Sequence, residues 1–288
     1  MGSPAADGVF PRTVGHFGGS TEIPTRPQRV VVISTGQLDA ALALGVVPVG
    51  STRGDKAGLV PAYLAKAFPQ QAAGLAAMAD VGLRTSPNLE AVAAARPDLI
   101  LANKAGGEEL YPKLSQIAPT VLTEGTGVNW KQDLLLVGHA LGTAGAAQRL
   151  LDTFHSDAAA LGARLGDRRP AVSFLRITAD RVRVFGIGSF PGSVAEDAGL
   201  ARPPAQQFPQ TSVDLSPEQL GRADGDRIFY GVQGGAGAAA ALLGGPVWKG
   251  IPAVTAGRIT EVDDDVWYLN AGPVAARTVL DGLSAALG

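Results

Sequence analysis

The most regular apolar pattern in the chain is helical. Between Thr143 and Leu165, the residues Ala147, Leu150, Leu151, Phe154, Ala158, Leu161 and Leu165 fall on one stripe at three- and four-residue spacing. At 1.5 Å per residue such a helix is roughly 30 Å long. Elsewhere the apolar positions come in short runs. Val30-Val31-Val32-Ile33 is β-branched throughout and bounded by Pro27 and by Ser34-Thr35-Gly36. A run of that kind predicts a strand covered on both faces, as in a parallel sheet. Asp39 to Leu44 predicts a helix ended by Gly45, and Val46-Val47-Pro48-Val49-Gly50 the next strand. Strand, helix and strand in that order imply a right-handed crossover.

The alternation continues. Ser86-Pro87 predicts a helix start, with Pro97 as its end, and Asp98–Ala102 a strand followed by Gly106-Gly107. A short helix over Glu108–Ile117 leads to the strand Thr120–Leu122 and to a helix over Trp130–Leu141. Past the long helix a second set begins after Gly166 and Pro170. Ala171–Ile177, Arg181–Phe185, Asp226–Tyr230 and Arg258–Val262 read as strands, Val194–Ala198 as a short helix, and Pro273–Leu287 as a closing helix. The halves echo one another. Ser86-Pro87-Asn88-Leu89-Glu90, a helix, Asp98-Leu99-Ile100-Leu101 and Gly106-Gly107 correspond to Ser216-Pro217-Glu218-Gln219-Leu220, a helix, Asp226-Arg227-Ile228-Phe229-Tyr230 and Gly234-Gly235. The expected fold is α/β: two Rossmann-like lobes joined by a single long helix, with a ligand cleft between them. The expected divisions are a lead-in over 1–27 with an edge strand near Arg12–Phe17, an N-terminal lobe over 28–142, the linking helix over 143–165 and a C-terminal lobe over 166–288. In open α/β sheets ligands bind beyond the C-terminal ends of the strands, so the loops there are where to look for chemistry.

Composition narrows that chemistry. Among 288 residues, 46% are hydrophobic and 17% charged, with 38 glycines and a net charge of −2. No Lys/Arg run is present, so no nucleic-acid partner is expected. With no cysteine there is no disulfide, thiolate metal site or cysteine nucleophile. Met1-Gly2-Ser3 reads as a cloning remnant, so a targeting segment is expected to have preceded the chain. There is no phosphate-binding GxxxxGK[ST] loop and no GxSxG elbow. Gly186-Ile187-Gly188-Ser189-Phe190-Pro191-Gly192 has the wrong spacing for a dinucleotide loop and reads as a plain turn, Pro191 being expected to break a helix start. His16, His139 and His155 are scattered, Asp263-Asp264-Asp265 reads as a solvated turn, and Arg53-Gly54-Asp55 as a chance tripeptide. No metal site and no resident cofactor are expected.

Five segments, in this order and spacing, carry a family likeness. They are Pro27–Val32 with Ala43–Gly50, Asn88-Leu89-Glu90 with Arg96–Leu101, Ile117–Val121, Val213–Leu220, and Trp248 through Pro252-Ala253-Val254 to Gly257-Arg258-Ile259. In them the chain resembles the iron–siderophore branch of the ABC-importer substrate-binding proteins, the class whose lobes are joined by a long helix and whose relatives also carry haem and cobalamin. The resemblance implies an extracytoplasmic, lipid-anchored and monomeric binding protein, not an enzyme. Its ligand would be a ferric siderophore and its partner a membrane permease. It further implies that Glu90 and Glu218, one per lobe, dock onto permease arginines. A carboxylate in a first helical turn is also favoured by the helix dipole alone, by about 0.3–1 kcal/mol. Their matched places in the two halves favour docking.

A protein that takes up an intact ferric chelate needs cationic donors for its oxygens and aromatic faces for its frame. The loops after the strands offer Arg53, Arg84, Lys104 and Trp130 in the first lobe. In the second they offer Arg176, Phe190, Tyr230, Trp248, Trp267 and Tyr268. For a single Trp, core packing is the competing role. Haem would call for an axial ligand, for which Tyr230 or Tyr268 could serve. An α/β enzyme using a nucleotide or a metal is the different-class alternative, disfavoured by the missing motifs.

Overall fold

The computed structural model describes residues 1–54, 57–104, 108–125, 127–179, 181–234 and 236–288. Gly106-Gly107, Gly235 and Asp55 lie outside the described residues. The chain divides into two compact units. One holds Met1–Asp152 with Gly272–Val274, the other Thr153–Ala271 with Ala275–Gly288. The helix Ala144–Leu165 links them. Its 22 residues make a rod about 33 Å long.

In the first unit β1 (Arg12–His16) and β2 (Gly19–Ile23) form an antiparallel hairpin, of which the sequence pattern showed only one strand. Arg12 anchors it, donating to the carbonyls of Ala6, Val9 and His139. The main sheet has β3 (Val30–Val32), β4 (Gly50–Arg53), β5 (Ala79–Leu83), β6 (Ser86–Pro87), β7 (Leu99–Asn103) and β8 (Thr120–Thr123). Their order is β6-β5-β4-β3-β7-β8, parallel except for β6. Val30 to Val32 and Leu99 to Ala102 are wholly buried, as a sheet covered on both faces requires.

Two local expectations are corrected here. The strand placed over Val46–Gly50 starts at Gly50, because Pro48 has no N–H for the ladder; pairing begins where Val49 N donates to Val30 O at 2.8 Å. Ser86-Pro87 does not start a helix but pairs with β5 as β6, consistent with the extended backbone favoured before proline. The helix is Leu89–Ala94, capped by Asn88, whose Oδ1 accepts from Ala91 N at 3.0 Å.

Two further contacts tie the first unit together. Asp39, fully buried, accepts from the Tyr63 hydroxyl and from Val274 N, both at 2.9 Å. Gly272 packs against Asp39 with no room for a side chain. After β8, Asp133 of the helix Trp130–Leu141 accepts from Glu124 N and Gly125 N, both at 2.9 Å. Burial outweighs those two bonds and pushes its carboxyl up to about 6.

The second unit holds β9 (Val172–Ile177), β10 (Val182–Phe185), β11 (Ser212–Leu215), β12 (Arg227–Val232) and β13 (Ile259–Glu261), in the order β11-β10-β9-β12-β13. β9, β12 and β13 are parallel, while β9, β10 and β11 form an antiparallel meander. The echo of the first unit's helix is a 3-10 helix, Pro217–Ala223. Pro191 does not break a helix: Phe190–Asp197 is one, with Pro191 in its first turn, where an N–H has no helical acceptor. Ser189 caps it, accepting from Gly192 N at 3.0 Å. The glycines before it are packing glycines. A Cβ on Gly186 would lie 2.5 Å from Gln210 O, and one on Gly188 would overlap Pro209 O. The concavity a phosphate would need is thus filled by the chain itself. Beneath it Arg202 lies 4.4 Å over the Phe174 ring and bonds the Phe185 carbonyl; burial lowers its guanidinium to about 10.

Gly188→Ala is expected to destabilise the second unit by about 1–3 kcal/mol, since backbone rather than a pliable side chain blocks the new methyl; urea denaturation measures this. Asp133 generates a pH dependence of the opposite sign to an ion-paired carboxylate. Its folded pKa of about 6 lies above the ordinary 3.8, so the native state holds the proton more tightly than the unfolded chain. Stability from this group therefore falls as pH rises from about 4 to 6 and is level above that, by up to about 3 kcal/mol. Carboxyl NMR of Asp133 should titrate near 6, and Asp133→Asn should remove that part of the stability profile.

Candidate functional site

The C-terminal strand ends of each sheet are set by the registers above. In the first unit that edge carries Arg53, Arg84 and Lys104, as the sequence pattern placed them. Arg53 ends β4 and its Nε meets Asp80 at 2.8 Å; that bond holds the Asp80 carboxyl below its usual range. Arg84 is exposed, and its N donates to Arg53 O at 3.0 Å, which sets the two arginines side by side along the backbone. Lys104 is exposed just past β7, on an open pocket of about 510 Å³ that also takes in Ser86, Pro87, Glu108 and Glu109. Trp130 is different: it is 3% exposed and packs inward at the start of its helix.

In the second unit the aromatic candidates are core residues. Phe190, Trp248 and Trp267 are 4%, 2% and 3% exposed. Trp267 stacks on Phe229, with ring centroids 5.2 Å apart, and Trp248 meets Tyr230 edge-on. Tyr230 is buried, and its hydroxyl reaches Glu261 at 3.4 Å. Tyr268 donates to Phe229 O at 2.8 Å and stacks on Phe185; burial raises its pKa well above the ordinary value. The apolar surroundings that make an aromatic useful to a ligand also draw it into the core, and sequence position after a strand does not separate the two outcomes.

The polar feature of this edge is a row that the sequence pattern showed only in part. Arg176 on β9 is opposite Arg183 on β10, which is opposite Asp214 on β11. Cross-strand partners share a face, so the three side chains stand together. Arg176 makes a two-pronged bond to Asp264, at 2.7 and 2.9 Å. This corrects the reading of Asp263-Asp264-Asp265 as a solvated turn, for Asp264 is largely buried in an ion pair. The next position in the row is Gly231 on β12, where a Cβ would meet the Tyr268 ring and Asp264 Cα. Its missing side chain lets Asp264 close over the sheet onto Arg176. Asp214 accepts from Arg183 at 2.8 Å and from Arg181 at 3.2 Å, and both arginines hold its carboxyl below the usual range. Three guanidiniums therefore share two carboxylates. The signal in the sequence was Arg181-Val182-Arg183-Val184, a period of two that puts both arginines on one face.

Glu90 and Glu218 are each the second residue of a helix and both exposed.

Comparison with known proteins shows the family. The family model described as periplasmic binding protein matches residues 30–266. The probable siderophore-binding lipoprotein YfiY of Bacillus subtilis is 34% identical, over 94% of this chain and 86% of its own. The achromobactin-binding periplasmic protein of Dickeya dadantii is 31% identical, over 91% of this chain and 87% of its own. The structure of Staphylococcus aureus SirA complexed with staphyloferrin B superposes with a TM-score of 0.84 at 29% identity, covering 96% of this chain and 98% of SirA. With a family model spanning most of its length and relatives aligned nearly end to end, this chain belongs to the periplasmic binding protein family.

Proposed function

We propose that the protein captures an iron–siderophore complex outside the cytoplasmic membrane and delivers it to the permease of an ABC importer. The relatives support this: among them are proteins named for siderophore binding, one of them also named a lipoprotein and another periplasmic. By that likeness we also infer a lipid anchor on the full-length protein and a monomeric working form. Its task is binding and release rather than turnover.

The observation that carries the ligand's chemistry is the arginine row. Arg181 and Arg183 share Asp214, so that pairing leaves one positive charge over, and the Asp214 contacts are part-exposed. On the first unit, Arg84 stands exposed beside Arg53, and Lys104 is exposed on the pocket that also takes in Ser86 and Pro87. Guanidinium forks match carboxylate oxygens in pairs, so the preferred cargo is an anionic, carboxylate-bearing ferric chelate. Haem is the weaker reading, because the hydroxyls of Tyr230 and Tyr268 are engaged with Glu261 and Phe229 O.

Thermal shift and fluorescence titration against an anionic ferric carboxylate chelate, a neutral ferric trihydroxamate, haem and cobalamin test this. The anionic chelate should bind tightest, with an affinity that falls as salt rises. Arg183→Ala should weaken it about 10–100-fold, the worth of a charge-assisted bond, while Asp214 keeps Arg181 as partner. Binding of none of the four would defeat the proposal.

Glu90 and Glu218 are the proposed docking points. Two separated charges fix both position and orientation of a partner and speed the encounter. The double variant Glu90→Arg, Glu218→Arg should bind chelate normally and melt within a degree or two of the parent, yet lose most uptake in cells carrying the permease. Normal uptake would reduce the pair to helix-start residues.

A further inference from the structure

The second unit has a pocket at the end of its sheet opposite the arginine row. It has a volume of about 390 Å³, and its lining includes Arg168, Arg169, Arg227 and Arg258, with Asp226 and Ala286. These residues sit just before or at the starts of β9, β12 and β13, and at the C-terminal ends of the helices Ala144–Leu165 and Pro273–Leu287. Four guanidiniums around one cavity repel each other, and a structural role would show each of them matched to a carboxylate. That is not what is found.

Among the described residues none of the four is in an ion pair; every bond they make is to a neutral acceptor. Arg169 donates to Gly199 O, Arg227 to the Thr260 hydroxyl at 3.1 and 3.2 Å, and Arg258 to Asp226 O at 2.9 Å. Asp226, the carboxylate in the lining, directs Oδ2 to Ala171 N at 2.7 Å. The two helix ends contribute about half a negative charge each. Together with Asp226 they balance roughly half of the arginine charge. Arg168, Arg169 and Arg258 are exposed, so their remaining N–H groups are open to a solute.

We propose that this pocket binds a phosphate group. Guanidinium forks pair with tetrahedral oxyanions through parallel hydrogen bonds, and a doubly charged anion answers the surplus charge better than a single carboxylate. The volume is larger than phosphate alone needs, so the ligand carries its phosphate on a small polar body. A soluble phosphate ester and a phospholipid headgroup share that chemistry. The site is separate from the chelate-binding edge and neither requires nor blocks it.

Titration calorimetry of the full chain at low ionic strength, with inorganic phosphate and then pyrophosphate, tests the assignment. One equivalent should bind, pyrophosphate several-fold tighter, with an affinity that declines steeply as chloride is added. Arg168→Gln with Arg258→Gln should cost at least tenfold while ferric-chelate affinity is unchanged. Ala286→Glu, which adds a carboxylate to the lining and removes no arginine, should do the same. Cosedimentation with phosphatidylglycerol and phosphatidylcholine vesicles separates the two sources. Capture by phosphatidylglycerol alone, competed by pyrophosphate and lost in the variants, identifies a headgroup; phosphate binding without capture identifies a soluble ester. Absence of heat with both probes together with absence of capture overturns the proposal. So does phosphate binding of equal strength in the parent and both variants.

Discussion

Each sheet depends on one aspartate at the start of a buried strand. Asp98, just before β7, accepts from Gln28 N at 2.8 Å and Arg29 N at 2.9 Å, and so fastens the start of β3 beside it. Arg29 completes the clasp by donating to the carbonyls of Ala95 and Arg96 at the end of the preceding helix. Asp226, just before β12, does the same for β9 through Ala171 N. A sheet buried on both faces has little in its own side chains to stop a strand from sliding, and a slip of one residue turns every side chain over. With the starts pinned, Val30 lies against Leu99 and Val172 against Arg227, and everything at the far ends follows. The arginine row exists only because Arg176, Arg183 and Asp214 arrive in register.

The two ends of the second sheet then differ in how they hold charge. At the C-terminal end, arginines meet carboxylates across neighbouring strands, and Arg176 with Asp264 is nearly shut off from water. Such a pair is costly to desolvate and keeps its geometry once formed, which suits a rigid frame around a recognition surface. At the N-terminal end the guanidiniums find only carbonyls and a hydroxyl. The same residue type serves order at one end and availability at the other, and the difference lies in where the aspartates are committed.

The pattern of apolar residues revealed most of the framework. The helices Trp130–Leu141 and Pro273–Leu287 fall where spacing put them, and the long helix differs by one residue at its start. Short runs such as Val30–Val32 were readable because burial on both faces leaves no polar alternation to obscure them. The errors cluster at prolines. Pro48, Pro87 and Pro191 each allow two outcomes, and which one prevails depends on a hydrogen bond made by another residue: Val49 to Val30, Asn88 to Ala91, Gly192 to Ser189. Of the candidate ligand contacts, the exposure of cations such as Arg84 and Lys104 was legible in the sequence and that of the aromatics was not. Charge keeps Arg84 and Lys104 at the surface wherever the loop goes, whereas Trp248 or Trp267 on a similar loop turns inward to the core. Asp214 and Asp264 were hidden because their meaning comes from partners 31 and 88 positions away.

The bond from Val274 to Asp39 spans 235 positions of sequence. A ribosome delivers the chain from its N-terminus, and the hydrophobic framework of the first sheet is available early. Yet its buried Asp39 carboxylate waits for a donor that emerges only after most of the second unit. Until then Asp39 has one partner fewer, and burying an acid without its hydrogen bonds is costly. The molecule therefore has a built-in order of completion, in which the unit begun first is finished only after most of the second has been made. No single cut of the polypeptide would yield it whole.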